Sequence, residues 1–280
     1  MSKIKLITDG SCDLSKDIIE KYNIEVIGLN VSFGDETFVG GVEIDNDTFY
    51  KRMGESKELP KTSCPSPEKF MESYNCEEDN ILVLTLASNL SGTYSTARLA
   101  RDMFIEENPN KRIEIIDTLN GCAGQGNLVV KAAQMRQEGK SFEEIVETIE
   151  KLKHEVIHYG TLETLENAIK GGRVSPLKAA IVNAFNFKVI VEIKNGEVKP
   201  VDKARGEVNS LKKVVESVLK LSGDTSDKIL SIAHANCPEK ALKVREMLEK
   251  ENQFKKVMIS EVGPVMGTYS AKGAILVSIL

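Results

Sequence analysis

The sequence predicts an α/β protein of two domains. The first is an N-terminal, mostly parallel sheet flanked by helices; the second is a C-terminal α+β domain with a mixed or antiparallel sheet. Three observations lead there. Apolar, strand-like runs alternate with helical segments through residues 3–154, the pattern of a parallel sheet covered on both faces. Several helical segments open on a strong start signal, such as Ser66-Pro67 and the capping box Ser141-Phe142-Glu143-Glu144. Beyond residue 160 the pattern changes, and Asn195-Gly196 lies between two strand-like runs, the strongest short signal for a hairpin. The expected domains are residues 1–160 and residues 161–280.

The elements follow in order. Residues 3–9 read as a first buried strand ending in Thr8-Asp9-Gly10, and Ser15 can cap a helix to residue 22. Residues 24–29 are strand-like, and residues 33–42 carry Gly34, Asp35, Gly40 and Gly41, the chemistry of a hairpin or mobile loop. A short amphipathic helix over 47–53 precedes the helix that Ser66-Pro67 opens, which runs to residue 75. Residues 81–86 form the clearest buried strand; Ser91-Gly92-Thr93 then opens a helix to residue 107, and residues 113–117 form another strand. Residues 121–126 suggest a glycine-rich turn into a helix that ends at Gly139. The capping box starts the next helix, which runs to residue 154. In the second half, helices are expected over 161–169, stopped by Gly171-Gly172, and over 176–185. The hairpin strands at 189–193 and 198–203 follow, then a helix, strand, helix and strand over 207–262. Pro264 and two glycines imply a rigid loop over 263–269, and residues 273–280 form a last strand.

Composition excludes several function classes. The chain has 280 residues, 41% of them hydrophobic and 28% charged, the balance of a globular protein. Net charge is −5, with Lys and Arg scattered among Asp and Glu, so no basic face for nucleic acid is expected. No apolar run approaches the roughly 20 residues that span a bilayer, and the start lacks a signal-peptide core. A cytoplasmic protein is therefore the expectation. The five cysteines are widely spaced with no C-x-x-C pair, which argues against both a disulfide framework and zinc. His154 and His158 lie four apart without a third ligand nearby, and read as ordinary residues at a helix–strand junction.

The segments that could carry chemistry lie where strands end, since open α/β sheets bind ligands beyond the carboxyl ends of their strands. Ser91 admits three readings. As a nucleophile it lacks the G-x-S-x-G frame and a nominated histidine; as a plain helix cap it is ordinary; as an anion ligand it would add a hydroxyl to the free N–H groups of a helix start. Thr62-Ser63, shortly before the next helix start, reads either as a turn or as a second hydroxyl cluster sharing that anion. Asp9 and Asp13 stand four apart, the wrong spacing for an aspartate-based phosphotransferase, so Asp9 is expected to tie down a loop. Gly124-x-Gly126 lacks the rest of a dinucleotide fingerprint, and no P-loop exists. These features point to a protein that binds a small acidic ligand and to no self-sufficient enzyme.

Five segments, taken together, resemble the DegV family, proteins that bind fatty acids. They are Thr8-Asp9-Gly10-Ser11-Cys12-Asp13-Leu14, Thr62-Ser63-Cys64-Pro65-Ser66-Pro67, Leu90-Ser91-Gly92-Thr93-Tyr94, residues 165–175, and Gly263-Pro264-Val265-Met266-Gly267-Thr268-Tyr269, in the family's order across nearly the whole chain. The resemblance implies a long-chain fatty acid in a tunnel between the two domains, with no other cofactor and no metal. It implies that Thr62, Ser63, Ser91, Gly92, Thr93 and Tyr269 surround the carboxylate. It also implies an ATP-binding fatty-acid kinase as partner, to which the acyl head is presented. A lipid carrier without a kinase and a serine hydrolase using Ser91 are the alternatives. Arg173, Arg205 and Thr268 are candidates for the tunnel mouth or the partner surface. Tyr269 stands where the family usually has histidine. A phenol donates a hydrogen bond but lacks imidazole's ready proton exchange, which leaves any proton shuttle without its usual group. Cys64 likewise replaces a usual glutamine.

Overall fold

The computed structural model describes residues 4–175 and 187–280. The helix expected over 176–185 lies outside the described residues. Four parallel strands form the first sheet: β1 (Ile4–Asp9), β2 (Glu25–Ile27), β6 (Asn80–Thr85) and β7 (Arg112–Asp117), in the order β2-β1-β6-β7. Their cores are near-continuous apolar runs because both faces are covered. One face holds α3 (Pro67–Tyr74) and α4 (Thr93–Glu107), where Phe70, Tyr74, Ala97 and Phe104 meet Ile7, Ile81 and Val83. The other holds α1 (Lys16–Lys21), α5 (Cys122–Gln137) and α6 (Phe142–Leu152), with Ile18, Leu128 and Ile145 against Leu6, Leu82 and Leu84.

The second sheet has six strands in the order β10-β9-β8-β13-β11-β12. These are β8 (Ile157–Leu162), β9 (Phe187–Lys194), β10 (Glu197–Arg205), β11 (Ile229–His234), β12 (Lys256–Glu261) and β13 (Ile275–Ile279). Every neighbouring pair is antiparallel except β11–β12. The β9–β10 turn is the expected one: Asn195 and Gly196 both take positive φ, 53° and 74°, as a two-residue hairpin of this twist requires. Helices α8 (Glu207–Ser222) and α9 (Pro238–Glu249) cover one face. Helix α5 reaches the other, so it is buried between the two sheets.

A small third sheet completes the fold: β3 (Asn30–Phe33), β4 (Glu36–Val39) and β5 (Lys61–Ser63), in the order β4-β3-β5. The hairpin expected over 33–42 is its β3–β4 pair. Helix α2 (Asn46–Glu55) packs beneath it, with Phe49 fully buried.

Four expectations need correction. Residues 161–169 are not one helix: β8 runs to Leu162 because Thr161 pairs with Ile275 on one side and Ile190 on the other, and α7 is only Glu166–Lys170. Strand pairing overrides the local helical pattern. Residues 121–126 are not a turn: α5 already starts at Cys122, and Gly124 and Gly126 lie inside it. They are glycines because a Cβ at Gly124 would stand 2.4 Å from Asn120 Oδ1, and one at Gly126 3.0 Å from the Cys12 carbonyl oxygen. Residues 263–269 are not a loop but the helix α10 (Pro264–Ser270), with Pro264 in its first turn. Thr62 and Ser63 stand not in a turn but on β5, with Thr62 opposite Val31.

Candidate functional site

The carboxyl ends of β1, β6 and β7 are fastened to one another by hydrogen bonds from both side chains and backbone. Asp9, fully buried, accepts hydrogen bonds from the Ser11 hydroxyl, from Ser11 N at 3.0 Å and from Leu86 N at 2.7 Å. Burial pushes its carboxyl above the usual range, against those three bonds. Ala87 N donates to the Asn120 carbonyl at 2.8 Å, and Ser88 N to Asp117 at 3.2 Å. Asp9 thus ties down a loop, as expected, and that loop carries Ser91. Gly92 caps α4 and Thr93 is its first residue; the Ser91 hydroxyl accepts from Thr93 N at 3.3 Å and pairs with the Thr93 hydroxyl at 2.8 Å. Among the described residues no histidine hydrogen-bonds Ser91.

Strand β5 brings Thr62 and Ser63 to the same place, and α10 brings Tyr269. The Thr62 hydroxyl and the Tyr269 phenol are hydrogen-bonded at 2.6 Å. Arg173 lies over the Tyr269 ring with its guanidinium carbon 4.5 Å from the centroid, and its Nε donates to the Leu90 carbonyl at 3.3 Å. The stack has room only because residue 171 is glycine: a Cβ there would stand 2.3 Å from Tyr269 Cε1. Gly172, with φ of 77°, supplies the helix stop read from the sequence.

These groups line one cavity of about 290 Å³, near the lower end of the roughly 300–1,000 Å³ typical of small-molecule sites. Thr62, Ser63, Ser91, Gly92, Arg173 and Tyr269 are on its wall. Most of the remainder is apolar: Leu29, Leu86, Leu162, Val191, Ile193 and Leu276 among others. The lining comes from the loops after β6 and β7, from β5 and α10, and from the inner faces of β8, β9, β10 and β13. Arg205 stands exposed at the end of β10 and is not on this wall; neither are Thr93 and Thr268, both fully buried. The Thr268 hydroxyl donates to the Pro264 carbonyl at 2.8 Å, while its own carbonyl accepts from Asn167 at 3.0 Å, which pins α10 beside α7. Among the described residues no group of three or more metal-ligating side chains is placed to hold an ion.

The DegV-family model, described as an uncharacterised protein family, matches residues 3–280. The chain belongs to the DegV family. A DegV domain-containing protein of Clostridium acetobutylicum is 35% identical over 281 residues, covering 98% of this chain and 97% of its own. A DegV-family structure from Ruminococcus gnavus, with vaccenic acid, superposes with a TM-score of 0.93 at 30% identity, covering 99% of both chains. The Fatty Acid Kinase (Fak) B3 protein of Streptococcus pneumoniae, loaded with linoleic acid, has the same fold, with a TM-score of 0.88 at 24% identity over 99% of both chains.

Sequence reasoning missed His158. It is not an ordinary junction residue: it is 2% exposed, on β8, and lines the cavity. Period two along β8 is the signal that was available, because His158, Gly160 and Leu162 fall on one face of the strand. The same period selects Val191 and Ile193 on β9. Which face looks into a cavity is not in the period, and that depends on α5 and the loops opposite.

Proposed function

We propose that this DegV-family protein binds one long-chain fatty acid in the cavity, between residues 1–160 and 161–280. The carboxylate sits at the end formed by Thr62, Ser63, Ser91, Gly92 and Tyr269, beside Arg173. The single observation that carries this reading is that hydroxyls, a guanidinium and an apolar wall line one cavity. Hydroxyls and first-turn N–H groups of α4 suit an anion. The apolar wall suits an acyl chain, whose burial contributes about 0.8 kcal/mol per methylene. The Ruminococcus gnavus relative with vaccenic acid supports the choice of ligand.

Native mass spectrometry after mild purification tests it. A co-purifying acid, lost in a Thr62→Ala/Ser91→Ala chain that still folds, is the expected result; full occupancy of the double variant overturns the head-group assignment. The same reading takes the acyl head to be presented, in the cytoplasm, to an ATP-binding fatty-acid kinase. That part rests on the family resemblance. Pull-down with such a kinase checks it, and absence of any complex leaves a carrier that works without one. Fluorophosphonate labelling of Ser91 would instead favour a hydrolase; the Ser91–Thr93 hydroxyl pair is the observation against it.

A further inference from the structure

Within the apolar part of the cavity wall, His158 brings one nitrogen that nothing in the protein satisfies. Its Nδ1 is 3.2 Å from Asn120 Oδ1, and the Asn120 amide nitrogen donates to the Thr118 carbonyl at 3.4 Å. That orientation turns an amide oxygen, an acceptor only, toward Nδ1, so Nδ1 carries the proton. Nε2 is then a bare lone pair. It is buried and has no hydrogen-bond partner. Burial also drives the ring's pKa down to about 3, which holds it neutral and Nε2 an acceptor. The pair is accommodated by the backbone opposite: a Cβ on Gly124 would stand 2.7 Å from Nδ1 and 2.4 Å from Asn120 Oδ1. A second side chain on the same wall, Ser270, also has a buried hydroxyl without a partner.

A saturated or unsaturated hydrocarbon leaves both atoms unsatisfied, and an unpaired buried acceptor is costly. We infer that the cavity is specific for an acyl chain bearing its own hydrogen-bond donor, a hydroxylated fatty acid whose hydroxyl donates to His158 Nε2. The inference rests on the acyl-binding reading above. The chain carbon that carries the hydroxyl is the one that reaches β8 when the carboxylate is at Thr62 and Ser91.

Competition binding with octadecanoic acid and monohydroxyoctadecanoic acids, the hydroxyl moved carbon by carbon, provides the test. One positional isomer binds tenfold or more tightly than octadecanoic acid and its neighbours, and in a folded His158→Phe chain the ratio of the two affinities, read within that same chain, falls to about one. Equal affinity for all isomers overturns the inference and leaves fatty-acid binding intact; so does a preference undiminished in His158→Phe. Binding of neither class of acid overturns the acyl reading and the inference together. Should His158→Phe fail to fold, nitrogen NMR of the histidine-labelled native chain decides. The His158 acceptor nitrogen shifts with the preferred hydroxy acid and not with octadecanoic acid; identical spectra with the two acids overturn the inference.

Discussion

Two residues show how the site is held by what is absent as much as by what is present. Gly171 gives the Tyr269 ring its place under Arg173, since a Cβ would come within 2.3 Å of the ring edge. Gly171→Ala is therefore expected to push Tyr269 off Thr62. Competition binding of a fatty acid should show a loss of about tenfold, in line with one hydrogen bond to a ligand-binding group. Asp13 shows the opposite economy, a titratable carboxyl kept where its charge is expensive. Its Oδ1 accepts from Gly263 N at 2.9 Å, yet burial pushes the carboxyl from 3.8 up to about 7. The folded state thus holds a proton that the unfolded state has lost. Its contribution to stability falls as pH rises between about 4 and about 7, by at most about 1.4 kcal/mol per pH unit. Asp13→Asn should lack that slope and gain stability relative to the native chain between about pH 4 and about pH 8. His158, with its pKa lowered, has the opposite effect, losing stability as pH falls below the usual imidazole value. That effect is common to both chains and cancels when urea unfolding curves of the two are subtracted.

Elements in this fold are set by different kinds of signal. The helix α6 is written locally: the Ser141 hydroxyl accepts from Glu144 N at 3.1 Å and Glu144 returns a bond from Ser141 N at 2.8 Å. The β9–β10 hairpin is written locally too, but its tip also serves the tertiary structure. Gly196 N donates to the Leu119 carbonyl at 2.8 Å, and a Cβ at Gly196 would stand 3.2 Å from Asn89 Nδ2. The hairpin turn of one sheet therefore docks on the loops of the other. Gly196→Val should cost more than the roughly 1 kcal/mol of a misplaced glycine, and more than a capping loss in Ser141→Ala, about 1 kcal/mol. Urea unfolding of the two variants gives the comparison. By contrast α5 gave a misleading local signal. Its glycines looked like a turn, whereas they let the helix pass close to Cys12 and to the His158–Asn120 pair. Helix α10 misled in the same way: a Cβ at Gly267 would stand 2.7 Å from the Tyr50 hydroxyl. Glycine chosen for close packing and glycine chosen for positive φ are indistinguishable in a sequence.

At the scale of the whole molecule, α5 joins the two larger sheets. Gln125 hydrogen-bonds Ser11 at 3.0 Å and Thr8 at 3.1 Å on the side of the parallel sheet. Two residues on, Asn127 donates to Ser278 at 3.1 Å and accepts from Ser231 at 2.5 Å on the other sheet. Asn127→Ala should leave both serines unpaired and cost about 1–3 kcal/mol per stranded group, and hydrogen exchange should show β6 and β11 opening together in a single step. The cavity belongs to this scale as well. The sequence by itself determined the alternating strands and helices, the capping box, the Asn195-Gly196 hairpin and the hydroxyl-bearing segments, because each is fixed by contacts within a few residues. Thr62 and Ser91 were legible as candidates because hydroxyls near helix starts mark them, whereas Arg173 and Tyr269 were candidates only through the family resemblance. That they meet on one wall, that Arg205 does not, and that His158 stands among them was decided only by tertiary structure. Strand order, the shared helix and the missing Cβ atoms bring together residues more than a hundred positions apart, and no local pattern records such a distance.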